Sequence, residues 1–310
     1  MSLFNTKHAA NGRVGLSISD SCVAFAYVRG DELISCDYGL LERKQQAAQV
    51  LGSLVKQYKL AGNKCTFVLQ SSAYQLFLIE APGVDANEMA AAVRWRIKDL
   101  LDFPLAEAVV DYFDLPPEAF RGSQKMVYVI AARKAVLELL VEQCRVNGLG
   151  VDCIDIRELV FGHIIGRLDD QLPNKAFVYL DEDAGFINLS NNTSICLNRA
   201  LGVGVRQLQQ THVASANSDD FSFSDIDALV LELQRSIDYY ESHMGFGSIT
   251  QLCLPPASNG VPQLPQQLNQ NLDMRVRELQ FADLISDDKG IDIDKQRFCF
   301  AALSAGLRGH

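Results

Sequence analysis

Arg13-Val14-Gly15-Leu16-Ser17-Ile18-Ser19-Asp20, then Cys22-Val23-Ala24-Phe25-Ala26-Tyr27-Val28, a Gly30-Asp31 turn and Leu33 to Tyr38 form the stretch on which the fold turns. Its apolar residues fall into three short runs rich in β-branched and aromatic side chains, bounded by small polar residues. That pattern predicts three strands joined by tight turns. Lys44 to Tyr58 follows at helical spacing, with Ala47, Val50, Leu51, Leu54 and Val55 on one face. The phrase returns at Ala176-Phe177-Val178-Tyr179-Leu180-Asp181-Glu182-Asp183, Gly185 to Ser190, an Asn191-Asn192 turn and Ser194 to Arg199, again before a helical pattern. Gly-Asp and Asn-Asn tolerate the positive φ that short hairpins need. A β-β-β-α unit stated twice predicts two like lobes.

Composition sets the bounds. A chain of 310 residues that is 48% hydrophobic has enough apolar surface for a large core divided into lobes. The formal charge is −10 and no Lys/Arg block occurs, which argues against nucleic acid or anionic lipid as a partner. The apolar runs are strand- or helix-sized, short of the roughly 20 residues of a membrane span. Met1 to Asn11 lacks the apolar core of a secretory signal. The eight cysteines are scattered without a Cys-x-x-Cys pair, the pattern of buried, reduced thiols in the cytosol. The histidines have no ligand spacing among themselves or with cysteine, and no metal site is expected.

An insertion with its own rhythm interrupts the first lobe. Tyr74 to Glu80 reads as a strand, Asp85 to Leu101 as a helix, Ala108 to Leu115 and Met126 to Ala132 as strands, and Lys134 to Asn147 as a helix. The expected organisation is a first lobe over 12–72, a side module over 73–150, a return to the first lobe over 151–174, a second lobe over 175–284 and a C-terminal helix within 285–310. Ser215 to Phe223 reads as a polar surface loop. Asp225 to His243 reads as the longest helix, with Leu229, Val230, Leu233, Ile237 and Tyr240 at helical spacing.

Four stretches carry a family resemblance: Glu232 with Arg235-Ser236-Ile237-Asp238-Tyr239-Tyr240; Asp102-Phe103-Pro104-Leu105 followed by Asp111-Tyr112; Asn198-Arg199-Ala200-Leu201-Gly202-Val203-Gly204; and Ala302-Leu303-Ser304-Ala305-Gly306-Leu307-Arg308. Taken in order over essentially the whole chain, they resemble the PilM-type proteins of bacterial type IV pilus assembly, most closely the mannose-sensitive haemagglutinin (MSHA) branch. The resemblance implies an α/β actin-like ATPase fold, the ribonuclease H-like duplicated β-β-β-α, with an inserted α+β side module in the first lobe. It also implies a cytoplasmic scaffold, peripheral to the bacterial inner membrane, that docks the short cytoplasmic N-terminal tail of a PilN-like membrane subunit. Alternatives on the same fold are an active ATPase whose nucleotide state gates docking, and the cytoplasmic domain of a type II secretion L-type protein.

Active members of that fold carry Asp-x-Gly at each first turn, the glycine admitting phosphate to backbone N–H groups and the aspartate holding Mg²⁺. Here the first turn reads Ser17-Ile18-Ser19 and the second Asp181-Glu182-Asp183, while the adenosine turn falls near Pro255-Pro256-Ala257. A carboxylate where glycine belongs repels a triphosphate. The expectation is a degenerate nucleotide cleft made of Ser17, Ser19, Asp181, Asp183, Gly202, Gly204 and Glu232, with no cofactor and no catalysis; ATP with Mg²⁺ is the alternative. Within the cleft, Gly202-x-Gly204 at a helix start stands for a phosphate nest or only a tight corner. Glu232 stands for a nucleoside contact or an i, i+3 partner of Arg235.

The working surface is expected instead in the groove between the first lobe and the side module. Met89, Val93, Ile97, Leu100 and Leu101 make an apolar stripe on the 85–101 helix. The sole tryptophan, Trp95, lies about 200° around the helix from Val93. Arg94, Arg96 and Lys98 flank it, a partner-binding combination of residue types. The bland reading places Trp95 against the neighbouring lobe.

Overall fold

The computed structural model describes residues 12–43, 46–116, 119, 125–168, 172–215, 225–261, 263–286 and 290–308. In chain order the elements are β1 (Arg13–Ile18), β2 (Cys22–Arg29), β3 (Glu32–Leu40), α1 (Ala47–Tyr58), β4 (Lys64–Leu69), β5 (Tyr74–Glu80), α2 (Met89–Arg96), β6 (Ala108–Asp114), β7 (Met126–Arg133), α3 (Lys134–Val146), β8 (Gly150–Ile156) and α4 (Arg157–Gly166). There follow β9 (Asn174–Leu180), β10 (Gly185–Asn191), β11 (Ser194–Leu201), α5 (Val205–Ser215), α6 (Asp225–His243), β12 (Gln251–Leu254), α7 (Leu264–Asn271), β13 (Arg275–Glu278) and α8 (Ile293–Leu307). The expected loop at 215–223 begins later, because α5 runs through Ser215; 216–223 lie outside the described residues.

Two five-stranded sheets repeat one topology, β3-β2-β1-β4-β8 and β11-β10-β9-β12-β13. In each, an antiparallel three-strand meander continues through parallel strands. The hairpin turns place Gly30 at φ +59° and Asn192 at φ +51°, where glycine and asparagine are least strained. The middle layer is α4 with α8, buried along most of its length. Its core joins Phe161 of α4 and Phe300 of α8, with ring centroids 5.2 Å apart, to Phe177 of the second sheet and Ala24 and Ala26 of the first. The small face of α8 lets its backbone reach β1: a Cβ on Gly15 would stand 1.8 Å from the Ala302 carbonyl oxygen. The same helix that ends the chain therefore seals the first sheet.

The side module is a third sheet, ordered β5-β7-β6. Side chains alternate across it. Phe77, Ile79, Val127, Val129, Ala131 and Val110 face α2, whereas Tyr74, Leu76, Tyr128 and Phe113 face the two lobes. Tyr128 crosses to the second lobe, its hydroxyl accepting from Asn198 N–H at 2.7 Å and donating to Asn198 C=O at 3.2 Å. The helix expected over 85–101 is shorter. Past Arg96 the chain tightens into i→i+3 bonds, Lys98 N–H to Trp95 C=O and Leu100 N–H to Ile97 C=O. Tighter winding advances each residue further round the axis. Met89, Val93 and Ile97 remain buried, but Leu100 is turned off the stripe and is 53% exposed.

Candidate functional site

The two hairpins face each other across a cavity of about 650 Å³ between the lobes. Ser17 and Ser19 line it from the first lobe, Asp181 and Asp183 from the second; Gly202, Gly204 and Glu232 are not among its lining residues. The first turn is closed on itself. Ser19 Oγ accepts from the N–H groups of Ser21 and Cys22, at 3.4 and 3.1 Å, and donates to the Cys22 carbonyl. Backbone donors that an Asp-x-Gly turn would aim outward are held by a serine hydroxyl.

The second turn is neutralised by arginines from elsewhere in the chain. Arg157, first residue of α4 and 3% exposed, pairs with Asp181, and its guanidinium lies 5.0 Å from the Tyr179 ring centroid. Burial works to lower the Arg157 pKa, but the net shift is upward under the influence of Tyr179, Asp181 and Tyr74. Arg206, in the first turn of α5, pairs with Glu182 at 2.8 Å and with Asp183. The start of α5 is also closed. Val205 N–H donates to Asp181 C=O and Arg206 N–H to Glu182 C=O, both at 2.9 Å, while Gly204 N–H donates to Gln207 Oε1 at 3.0 Å. The glycine at 204 is steric: a Cβ there would lie 2.4 Å from the Asp183 carbonyl carbon. Of the two readings of Gly202-x-Gly204, the tight corner is the one the structure contains. Glu232 Oε2 accepts from Gly202 N–H at 2.9 Å, a tie between helix and strand.

The third turn is unusual. After Pro255, residues Ala257, Ser258 and Asn259 hold φ of +53°, +43° and +53°, a left-handed run that costs non-glycine residues about 1–2 kcal/mol each. Ser258 Oγ donates to Glu278 and Asn259 Nδ2 to the Leu180 carbonyl, so two side chains hold it in place. A magnesium triphosphate draws on N–H donors and carboxylates; here those of the second hairpin and of the start of α5 are bonded within the protein, while Asp20 and Arg297 also line the cavity.

Arg157 and Arg206 were invisible to motif reading, yet each leaves a trace in the sequence. Arg157-Glu158 opens a helix whose other residues are nearly all apolar, and charges on a fully buried helix require partners. Arg206 sits at a helix N-terminus, where a cation opposes the macrodipole unless carboxylates lie near.

The second expected surface divides in two. Trp95 is 67% exposed, so it is not core. The face of α2 opposite Trp95 covers the module sheet on the side away from the lobes, so Trp95 lies outside the groove between module and lobe. Strand alternation is the reason: residues facing α2 cannot also face the lobes. Arg94 is committed to structure, donating to the carbonyls of Leu105 and Ala108. Arg96 lies 4.0 Å from Glu80, and Lys98 is exposed.

No family model and no curated protein matches the sequence. Solved structures do. A chain of the PilM–PilN type IV pilus biogenesis complex matches with a TM-score of 0.74 at 19% identity, covering 97% of this chain and 100% of that one. A Bacteroides thetaiotaomicron protein with an actin-like ATPase fold and unknown function matches with 0.55 at 11% identity, over 98% and 99% of the two chains. The ethanolamine utilization protein EutJ from Carboxydothermus hydrogenoformans matches with 0.53 at 9% identity, over 97% and 91%. The fold is that of the actin-like ATPases. At such identities the likeness concerns architecture, and chemistry has to be argued from the site.

Proposed function

We propose that this protein is a non-enzymatic scaffold of a type IV pilus assembly machine, of the MshI kind in the MSHA system. It works in the cytoplasm and docks the N-terminal tail of a PilN-like inner-membrane subunit. One observation carries the reading: the acidic hairpin and the helix start of the interlobe cleft are engaged by the chain itself, Asp181 by Arg157, Glu182 and Asp183 by Arg206, and the start of α5 by the hairpin. The whole-chain likeness to a chain of the PilM–PilN complex supports the choice of machine. The side module, with Trp95, Arg96 and Lys98 outward, offers the docking surface. Calorimetric titration with Mg-ATP should give no saturable heat, while a synthetic PilN-like N-terminal peptide should bind saturably. A nucleotide dissociation constant of about 10 μM or tighter, worth roughly 7 kcal/mol, would sink the pseudo-ATPase half; absence of peptide binding would sink the docking half.

A further inference from the structure

Two lobes that share α4 and α8 as a middle layer can rock about those helices unless something crosses the mouth of the cleft. What crosses it here is a cluster centred on Asp181 of the second lobe. Ser71, in the turn after β4 of the first lobe, has its hydroxyl 3.4 Å from Asp181 Oδ2, and Arg157 Nη1 reaches both that carboxylate and, at 3.5 Å, Ser71 Oγ. Arg157 is almost wholly removed from water. A guanidinium so placed is strongly destabilising without its counter-ion, so its pairing resists opening.

The next residue reaches the other way. Glu158, 6% exposed, accepts from the hydroxyl of Tyr74, the first residue of β5 and thus of the side module. Two consecutive side chains at the start of α4 therefore grip different bodies, Arg157 the second lobe and Glu158 the module. Ser71 and Asp181 also form part of the wall of a second cavity, about 370 Å³, between Leu76, Leu78 and Tyr128 of the module and Phe186 of the second lobe. One cluster thus borders both spaces.

We propose that Arg157, Asp181 and Ser71 form a built-in latch that holds the lobes closed without a ligand, and that the Glu158–Tyr74 contact ties the side module to the same joint. In this arrangement an arginine of the protein does the bridging between lobes, and the module's orientation is set by the state of the cleft. The inference rests on the scaffold reading for its purpose, since a docking platform gains from a fixed shape. Its geometry stands apart from that reading, and the test uses the chain alone, so its failure and that of docking are separately visible.

The test is amide hydrogen exchange on the full chain. In Asp181→Asn, exchange should rise in the 181–184 hairpin, at the start of α4 and in β5 by roughly tenfold more than in β2, β3 and α1, whose amides follow only the global loss of stability. Tyr74→Phe should loosen β5 and leave the hairpin protected. In the double variant, exchange in β5 should be no faster than in Tyr74→Phe, because the link is already cut. Should Asp181→Asn fail to fold, Ser71→Ala, at an exposed position, should give the same pattern at smaller amplitude. An unchanged hairpin, a uniform rise across the chain, or additive loosening of β5 would each overturn the latch.

Discussion

The interlobe cleft and the outer face of the side module use the same residue types to opposite ends. In the cleft, arginines meet carboxylates of the chain and helix N–H groups meet hairpin carbonyls. On the module, Trp95 and Leu100 stand 67% and 53% exposed beside cations only partly engaged. Polar groups with internal partners have little to offer a ligand, whereas an exposed tryptophan near arginine has the make-up of a binding hot spot. The difference teaches where interaction capacity remains.

The contrast is broken most directly inside the cleft. Asp181→Asn leaves buried Arg157 without its counter-charge and should destabilise by about 3 kcal/mol in urea unfolding. Arg206→Met, removing two exposed pairs a short distance away, should cost no more than about 1 kcal/mol. Equal costs for the two would mean that Arg157 has found another partner and that burial does not divide the pairs.

On the module the expected effect is next in size and falls on binding. Trp95→Ala should leave the melting temperature nearly unchanged, as exposed substitutions do. It should weaken capture of the PilN-like peptide by on the order of 2 kcal/mol. Intact affinity in that variant would move the docking surface to the groove side of the sheet.

The smallest effect is a pH trend at the joint between the regions. Burial raises the Glu158 carboxyl above its ordinary value, against the lowering effect of the Tyr74 hydroxyl and of Arg157, with Asp155 pushing it further up. The folded state then holds this proton more tightly than the unfolded chain, so the associated stability is full below the ordinary carboxyl value. It is lost as pH rises through the folded one. Glu158→Gln keeps an acceptor for Tyr74 and removes the titration. Its stability relative to the parent should therefore increase as pH rises above the ordinary carboxyl range; a flat difference would show that Glu158 is ionised throughout at no cost.

What the sequence determined by itself is what neighbours along the chain decide. The duplicated strands, the hairpins at Gly30 and Asn192, and the Asp225–His243 helix depend on φ preference and apolar period, which are local. The loss of Asp-x-Gly at Ser17–Ser19 and Asp181–Asp183 was equally plain. Tertiary structure alone decided which charges meet. Arg157 finds Asp181 because β8 delivers α4 beneath the second hairpin, Glu232 turns to Gly202 across 30 residues, and strand alternation puts Trp95 on the face away from the groove. Hydrogen bonds form only within a few ångströms, and attraction between charges is screened beyond about 10 Å, so pairings between elements exist only once packing has set their positions.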